Sequence, residues 1–247
     1  MAKKNIVRLC GIVHRVISEE PMAFVLKTKR HIDKMAYPTI VLAEDANPDI
    51  HLKYLVEGAV VLVTGQLRTE NQVHSIACPC CGETIENRSL NTYIEAANVC
   101  IFKPLGRKDT NIFANNVVLL GTLCRQISFK YSNSASGNVI ANAKFQMAVN
   151  RRIPNETDYP WVCSFARQAE EDYTRINTGS QVLVDGVLAT KEKTKEVECP
   201  NCCAVMEVKE VQTEVSAKSV EYLNNCNFET AEGKEEKQAS IISDGEI

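Results

Sequence analysis

The chain has 247 residues, 45% apolar and 24% charged, with 28 Lys and Arg against 31 Asp and Glu for a net charge of −3. That is the composition of a globular protein, not of a disordered chain or a collagen. The longest apolar run, residues 59–63, is far short of the roughly 20 residues of a spanning helix.

The basic start MAKKNIVRLCGIVHRV is broken by Arg8, His14 and Arg15, so no signal peptide is expected. Near-neutral charge is not the footprint of a nucleic-acid binder. Eleven cysteines without a secretion signal point to a reducing cytoplasm, where clustered thiols hold metal more often than they form disulfides.

The predicted elements occur twice. NIVRLCGIVHR (residues 5–15) returns as NNVVLLGTLCR (115–125), with Gly11 on Gly121 at an offset of 110. FVLKTKR (24–30) returns as FQMAVNR, YPTIVLA (from Tyr37) as YPWVCSFA, and VEGAVVLVTGQL as NTGSQVLVDGVL, at offsets of 121 or 122. Cys78 and Cys81 fall on Cys199 and Cys202, and IEAANV falls on VSAKSV, again at 121. One insertion of about 11 residues around 132–137 accounts for the change of offset. The chain therefore reads as two copies of one domain, mapped to residues 1–110 and 111–226, with a tail at 227–247.

Within each copy the order is three strands, a helix and two strands. In the second copy the strands are expected at 117–123, 143–149, 159–165, 181–187 and 214–220. The helix falls on FARQAEEDYTRI there and around residues 48–56 in the first copy. This order in about 105 residues suits an all-β fold with one short helix per domain: a five-stranded Greek-key barrel, the OB-fold, which binds oligonucleotides on one face. The tail carries six acids and two lysines and is expected to be disordered. By segment the net charges are +2, −1 and −4, so the overall −3 comes mainly from the tail.

Cations recur at matching places. The second strand of the second copy alternates Phe145, Met147 and Val149 toward the core with Lys144, Gln146, Ala148 and Asn150 outward, then runs into Arg151 and Arg152. The first copy ends the same strand with Lys27, Lys29, Arg30 and His31. Such a track suits a phosphate backbone. The third strand places Tyr159, Trp161 and Phe165 on one face by the period of two, a platform on which any base can stack. The first copy keeps only Tyr37 there, with Thr39 and Ala43 replacing the other two rings, so it is expected to bind more by charge.

Cys78-Pro79-Cys80-Cys81 and Cys199-Pro200-Asn201-Cys202 sit between the fourth and fifth strands of their copies. Two thiolates on one tight turn can grip a tetrahedral ion, and a structural zinc takes four ligands. One zinc shared by Cys78, Cys81, Cys199 and Cys202 is expected, within one chain or between chains of a dimer, with Cys80 and Cys203 as adjacent thiols. No catalytic motif is present, and the chain is read as a non-enzyme.

AKFQMAVNRR (143–152), TDYPWVCSFARQAEE (157–171) and NTGSQVLVDGVLATK (177–191) resemble the bacterial and phage single-stranded DNA-binding protein family, and VEGAVVLVTGQLRT (56–69) resembles its fourth-strand region. The resemblance implies base stacking by Tyr159, its counterpart Tyr37, and Phe165. It implies phosphate contacts from Lys144, Arg151, Arg152, Lys27, Lys29 and Arg30, with Arg68 and Lys191 along the path of the DNA. It also implies a bacterial cytoplasm, a host, phage or mobile-element genome, and replication or recombination proteins as tail partners. That family carries one barrel per chain and assembles four, so this doubled chain is expected to form a homodimer. Its tail tip, Ser-Asp-Gly-Glu-Ile, and its cysteine pairs depart from the family pattern. The alternative reading is an OB-fold scaffold that binds other proteins, its zinc purely structural.

Overall fold

The structure, a computed structural model, describes residues 4–31, 34–46, 52–102, 112–133, 137–151, 153 and 155–227. The first copy supplies β1 (Lys4–Glu19), β2 (Met22–His31), β3 (Lys34–Ala36), β4 (Thr39–Leu42), β5 (Val60–Ala77) and β6 (Thr84–Phe102). The second supplies β7 (Ala114–Leu123), β8 (Ser128–Asn133), β9 (Val139–Asn150), β10 (Thr157–Asp158), β11 (Trp161–Phe165), α1 (Ala166–Arg175), β12 (Gln181–Glu198) and β13 (Val205–Asn224).

Each copy closes a ring of five strands. In the first the neighbours run β1-β2-β4-β6-β5 and back to β1; in the second they run β7-β9-β11-β13-β12 and back to β7. In both, the third and fifth principal strands pair in parallel, β4 with β6 and β11 with β13, while the hairpins are antiparallel. This all-β arrangement is the OB-fold. The insertion appears as β8, which pairs with β9; the first copy instead turns directly from β1 to β2, Glu19 opposite Met22.

The alternation of the strands sorts the side chains. Along β9, Ala143, Phe145, Met147 and Val149 are buried, as are Val117, Leu119, Val162, Val184 and Val215 on the other strands of that copy. Phe24, Leu26, Ile40, Val61, Leu67 and Ile94 are the corresponding buried residues among the first copy's strands.

Closing so small a ring brings backbone onto backbone. A Cβ on Gly65 would lie 2.2 Å from the Glu95 carbonyl oxygen, and one on Gly186 would lie 2.5 Å from that of Ser216, the position 121 residues on. Gly11 and Gly121 meet the carbonyl oxygens of Lys27 and Ala148 in the same way. Only glycine permits these approaches.

The compact units are not contiguous in sequence. One takes in residues 4–9, Asn115–Leu188 and 214–227, and holds the second copy's barrel. The other takes in Cys10–Ala114 together with Ala189–Thr213, so the far ends of β12 and β13 belong with the first copy.

Two local expectations change. Where an α-helix is expected around 48–56, the described residues show one 3₁₀ turn, Leu52–Tyr54; residues 47–51 lie outside the description. In the second copy α1 runs ten residues and buries Ala169 and Asp172 against the barrel, the packing that sustains a short helix. The strand expected from Tyr159 begins instead at Trp161. Pro160 has no N–H to give a ladder, and its carbonyl takes the bond from Met147 N–H at 3.1 Å. Tyr159 thus leaves the strict alternation. The tail from residue 228 and the side chain of Arg152 lie outside the described residues.

Gly65→Ala is expected to lower the urea midpoint of unfolding by the equivalent of about 1–3 kcal/mol, the cost of overpacking; an unchanged midpoint would contradict the contact.

Candidate nucleic-acid interface and metal centre

The outer face of the second copy's barrel is set by register. β9 presents Asn142, Lys144 and Gln146, opposite Phe165, Cys163 and Trp161 of β11. Trp161 and Phe165 are half-buried, Tyr159 at the strand's entry is 43% exposed, and the Gln146 amide donates to the Tyr159 carbonyl at 3.0 Å. Two rings and a polar row therefore share one sheet face, with Tyr159 at the strand's entry. The Lys144 Nζ lies 5.0 Å from the centroid of the Trp161 ring and 3.1 Å from a Glu214 carboxylate oxygen. The Glu214 side chain is only 1% exposed. A carboxylate so far removed from water needs a cation, which pins Lys144, and Lys144 in turn covers part of the Trp161 face.

Arg151 is likewise engaged. Its Nε and Nη2 donate to the two oxygens of Asp158 at 3.0 and 2.9 Å, and its Nη1 to Glu156 at 2.9 Å. Asp158 is fully buried, and its carboxylate holds the guanidinium above its ordinary value. This fork closes the turn that delivers Tyr159. The sequence signal for these carboxylates is weak, because the Glu214 partner lies 70 residues from Lys144.

The sites predicted in the first copy lie in the other unit. Tyr37 is 37% exposed, stands edge-on to His14 at 5.2 Å between ring centroids, and donates its N–H to Thr190 Oγ1 at 2.9 Å. Lys191 follows Thr190 and is half-buried. Lys27, Lys29 and Arg30 are half-buried along β2. Arg68 is largely covered and bonds Glu95 through Nε at 2.8 Å. The structure thus gathers Tyr159, Trp161, Phe165, Lys144 and Arg151 on one barrel, and the first-copy set with Lys191 in the other unit.

The four predicted metal-ligating cysteines meet within that second unit. The Sγ atoms of Cys78, Cys81, Cys199 and Cys202 all lie within 4.8 Å of one another, with Cys78–Cys202 and Cys81–Cys199 each at 3.6 Å. Four sulfurs about 2.3 Å from a tetrahedral ion would lie about 3.8 Å apart, so the cluster fits a four-thiolate metal. The two knuckles are copies. Cys78 N–H donates to Glu83 O and Gly82 N–H to Cys78 O; Cys199 N–H donates to Ala204 O and Cys203 N–H to Cys199 O. Gly82 and Cys203 both have positive φ, 76° and 56°. Cys203 therefore fills the turn position that glycine holds in the first copy, and Cys80 matches Asn201. Both lie exposed, outside the four-sulfur group.

Ile85 and Met206, with Ile76, Val197 and Ala204, wall the sulfurs with apolar groups. Backbone N–H groups of Cys81 and then Cys80 pull the Cys78 thiol down to about 6. At Cys202 the Ala204 N–H acts downward, but desolvation and the neighbouring sulfurs of Cys78, Cys81 and Cys199 together push it up. One thiol is thus readied as a thiolate, the form a metal needs. Farther along the arms Asn87 donates to Glu210 and accepts from Lys195 at 2.7 Å, a second tie between the two hairpins.

The strand rings define a doubled OB-fold. The profile of the single-strand binding protein family matches residues 114–223, most of the second copy. Among solved structures it is similar to the wild-type single-stranded DNA binding protein from Thermus aquaticus, at a TM-score of 0.63 and 17% identity over 94% of this chain and 98% of that one. A truncated and substituted variant of the same protein gives 0.61 and 18% over 94% and 100%. At such identities the likeness is one of fold. No curated protein matches the chain. No described helix is long and apolar enough to cross a membrane.

Behind the platform, Asp172 of α1 accepts from Tyr222 OH at 2.7 Å and Gln168 Nε2 at 2.9 Å. Desolvation raises its carboxyl above the usual aspartate range despite these bonds. A value raised by folding gives stability that is complete below the unfolded value, about 4, and lost as pH rises through the folded one. The stability of Asp172→Asn relative to wild type is therefore expected to improve between pH 4 and 7.5 in urea unfolding; a difference independent of pH would contradict the burial cost.

Proposed function

We propose that the protein binds single-stranded DNA with little sequence preference and coats or protects it during replication, recombination or transfer. Bases stack on Tyr159, Trp161 and Phe165, while Lys144, Arg151 and Arg152 serve the phosphates. In the first copy Tyr37 with Lys27, Lys29, Arg30, Arg68 and Lys191 extends the binding, more by charge than by stacking. The observation that carries this reading is the shared outer face of β9 and β11, where Trp161 and Phe165 lie beside a polar row with Tyr159 at its mouth. The match of residues 114–223 to the single-strand binding protein family supports it.

The carboxylate partners refine the mechanism. Lys144 and Arg151 are held by Glu214, Asp158 and Glu156, so they contribute as positioned donors whose charge is partly neutralised. Stacking therefore carries the larger share of affinity at this face. Tyr159→Ala with Trp161→Ala is expected to weaken oligo-dT binding more than about tenfold, since each base–ring stack is worth about 1–3 kcal/mol. Equal binding by the double variant and wild type, measured by fluorescence anisotropy, would remove the platform.

The same reading gives the thiol cluster one structural zinc per chain, held by Cys78, Cys81, Cys199 and Cys202. A group of four sulfurs with apolar neighbours, Cys78 and Cys199 buried and Cys81 exposed, suits zinc and offers no open position for chemistry. The chain is expected to pair as a dimer presenting four barrels. Elemental analysis is expected to find about one zinc per chain, lost in Cys199→Ser with a fall in thermal midpoint. A metal-free wild type, or a variant of unchanged metal content, would contradict the site.

A further inference from the structure

The β8 strand has no counterpart in the first copy, and it lies on the edge of the candidate interface. Across β9, Lys130 pairs with Asn142, and Asn142 pairs with Phe165 of β11. Ser128, Lys144 and Cys163 form the next row. Paired residues of neighbouring strands share a face, so Lys130 stands on the outer face in line with the Phe165 ring.

Its chain neighbours fix that orientation. Phe129 and Tyr131 point the other way: the Phe129 ring lies 4.8 Å from Tyr173 of α1 and 5.2 Å from Tyr131. The alternation along β8 then leaves Lys130 outward, and it is exposed. Its charge also differs from that of its neighbours. Lys144 and Arg151 are paired with carboxylates, whereas Lys130 has no carboxylate partner among the described residues.

The first copy lacks the row altogether. At the repeat offsets Pro21, in the β1–β2 turn, stands where Asn142 does, and Ala43 stands where Phe165 does.

We propose that Lys130 is a phosphate-binding residue that lengthens the single-strand track one row past Phe165, and that this extension belongs to the second copy alone. The inference rests on the reading of this face as the single-strand interface. A cation free of a carboxylate gains more from a phosphate than one that must first be released, and it releases a condensed counterion on binding.

The experiment is a salt series of oligo-dT binding by fluorescence anisotropy for wild type, Lys130→Gln, Lys209→Gln and the Tyr159→Ala, Trp161→Ala double variant. Lys209 is exposed on β13 in the other compact unit and controls for net charge. Loss of one phosphate contact is expected to reduce the steepness of log K against log salt by about 0.7, which is about fivefold in affinity near 0.1 M salt. Lys209→Gln is expected to behave as wild type. If Lys130→Gln matches wild type or Lys209→Gln in both slope and affinity while the double variant is weakened, Lys130 is not a contact and the platform stands. If wild type itself fails to bind, the platform and the extension both fall.

Discussion

Each barrel depends on backbone passing against backbone. At Gly11 and Gly65, and again at Gly121 and Gly186, a neighbouring carbonyl oxygen occupies the space that a Cβ would fill. A ring of only five strands cannot close without such approaches, and any other residue would hold the strands apart. Closure turns one side of β9 into core, with Phe145 and Met147 fully buried. By the period of two it turns the other side into a face of half-buried Asn142 and Lys144 and of Gln146, which is itself buried. The candidate interface is the outer consequence of the inner packing.

What that surface can do is set by its carboxylates as much as by its cations. Glu214 and Asp158 are nearly or fully buried, and each needs a positive partner. Lys144 and Arg151 satisfy them and at the same time hold the surroundings of the rings, Lys144 over Trp161 and Arg151 at the turn that presents Tyr159. Residues that a linear reading assigns to phosphate alone thus also organise the platform. In the first copy Thr39 and Ala43 replace two rings and Arg68 is bonded to Glu95. The two copies keep one fold but present different surfaces.

Much of this was legible in the residues. The doubled offsets of 110 and 121 reappear as matching close approaches and matching knuckle turns, because a repeat preserves the positions its backbone cannot vary. The alternation of β9 was readable because one face is fully buried, and the pairing of the two knuckles followed from the four ligands a structural metal requires. What was hidden depends on distant contacts or local backbone chemistry. The Glu214 partner of Lys144 is remote in sequence. The missing N–H of Pro160 shifts the start of β11, and the outward turn of Lys130 depends on the Phe129 ring meeting Tyr173 of α1. The association of Ala189–Thr213 with the first copy's unit joins segments remote in sequence, and the sulfur cluster within it brings Cys81 to Cys199 across 118 residues of chain.

The central claim is that bases stack on the outer face of β11, and the protein carries its own reporter there, since Trp161 is the only tryptophan in the chain. Titration of the protein with oligo-dT, following tryptophan emission, tests the claim directly. The account predicts saturable quenching that is reversed by added salt, because a stacked base contacts the indole while phosphate contacts hold the strand. Unchanged emission at oligonucleotide concentrations where a mobility shift shows a complex, or no complex at all, would contradict it.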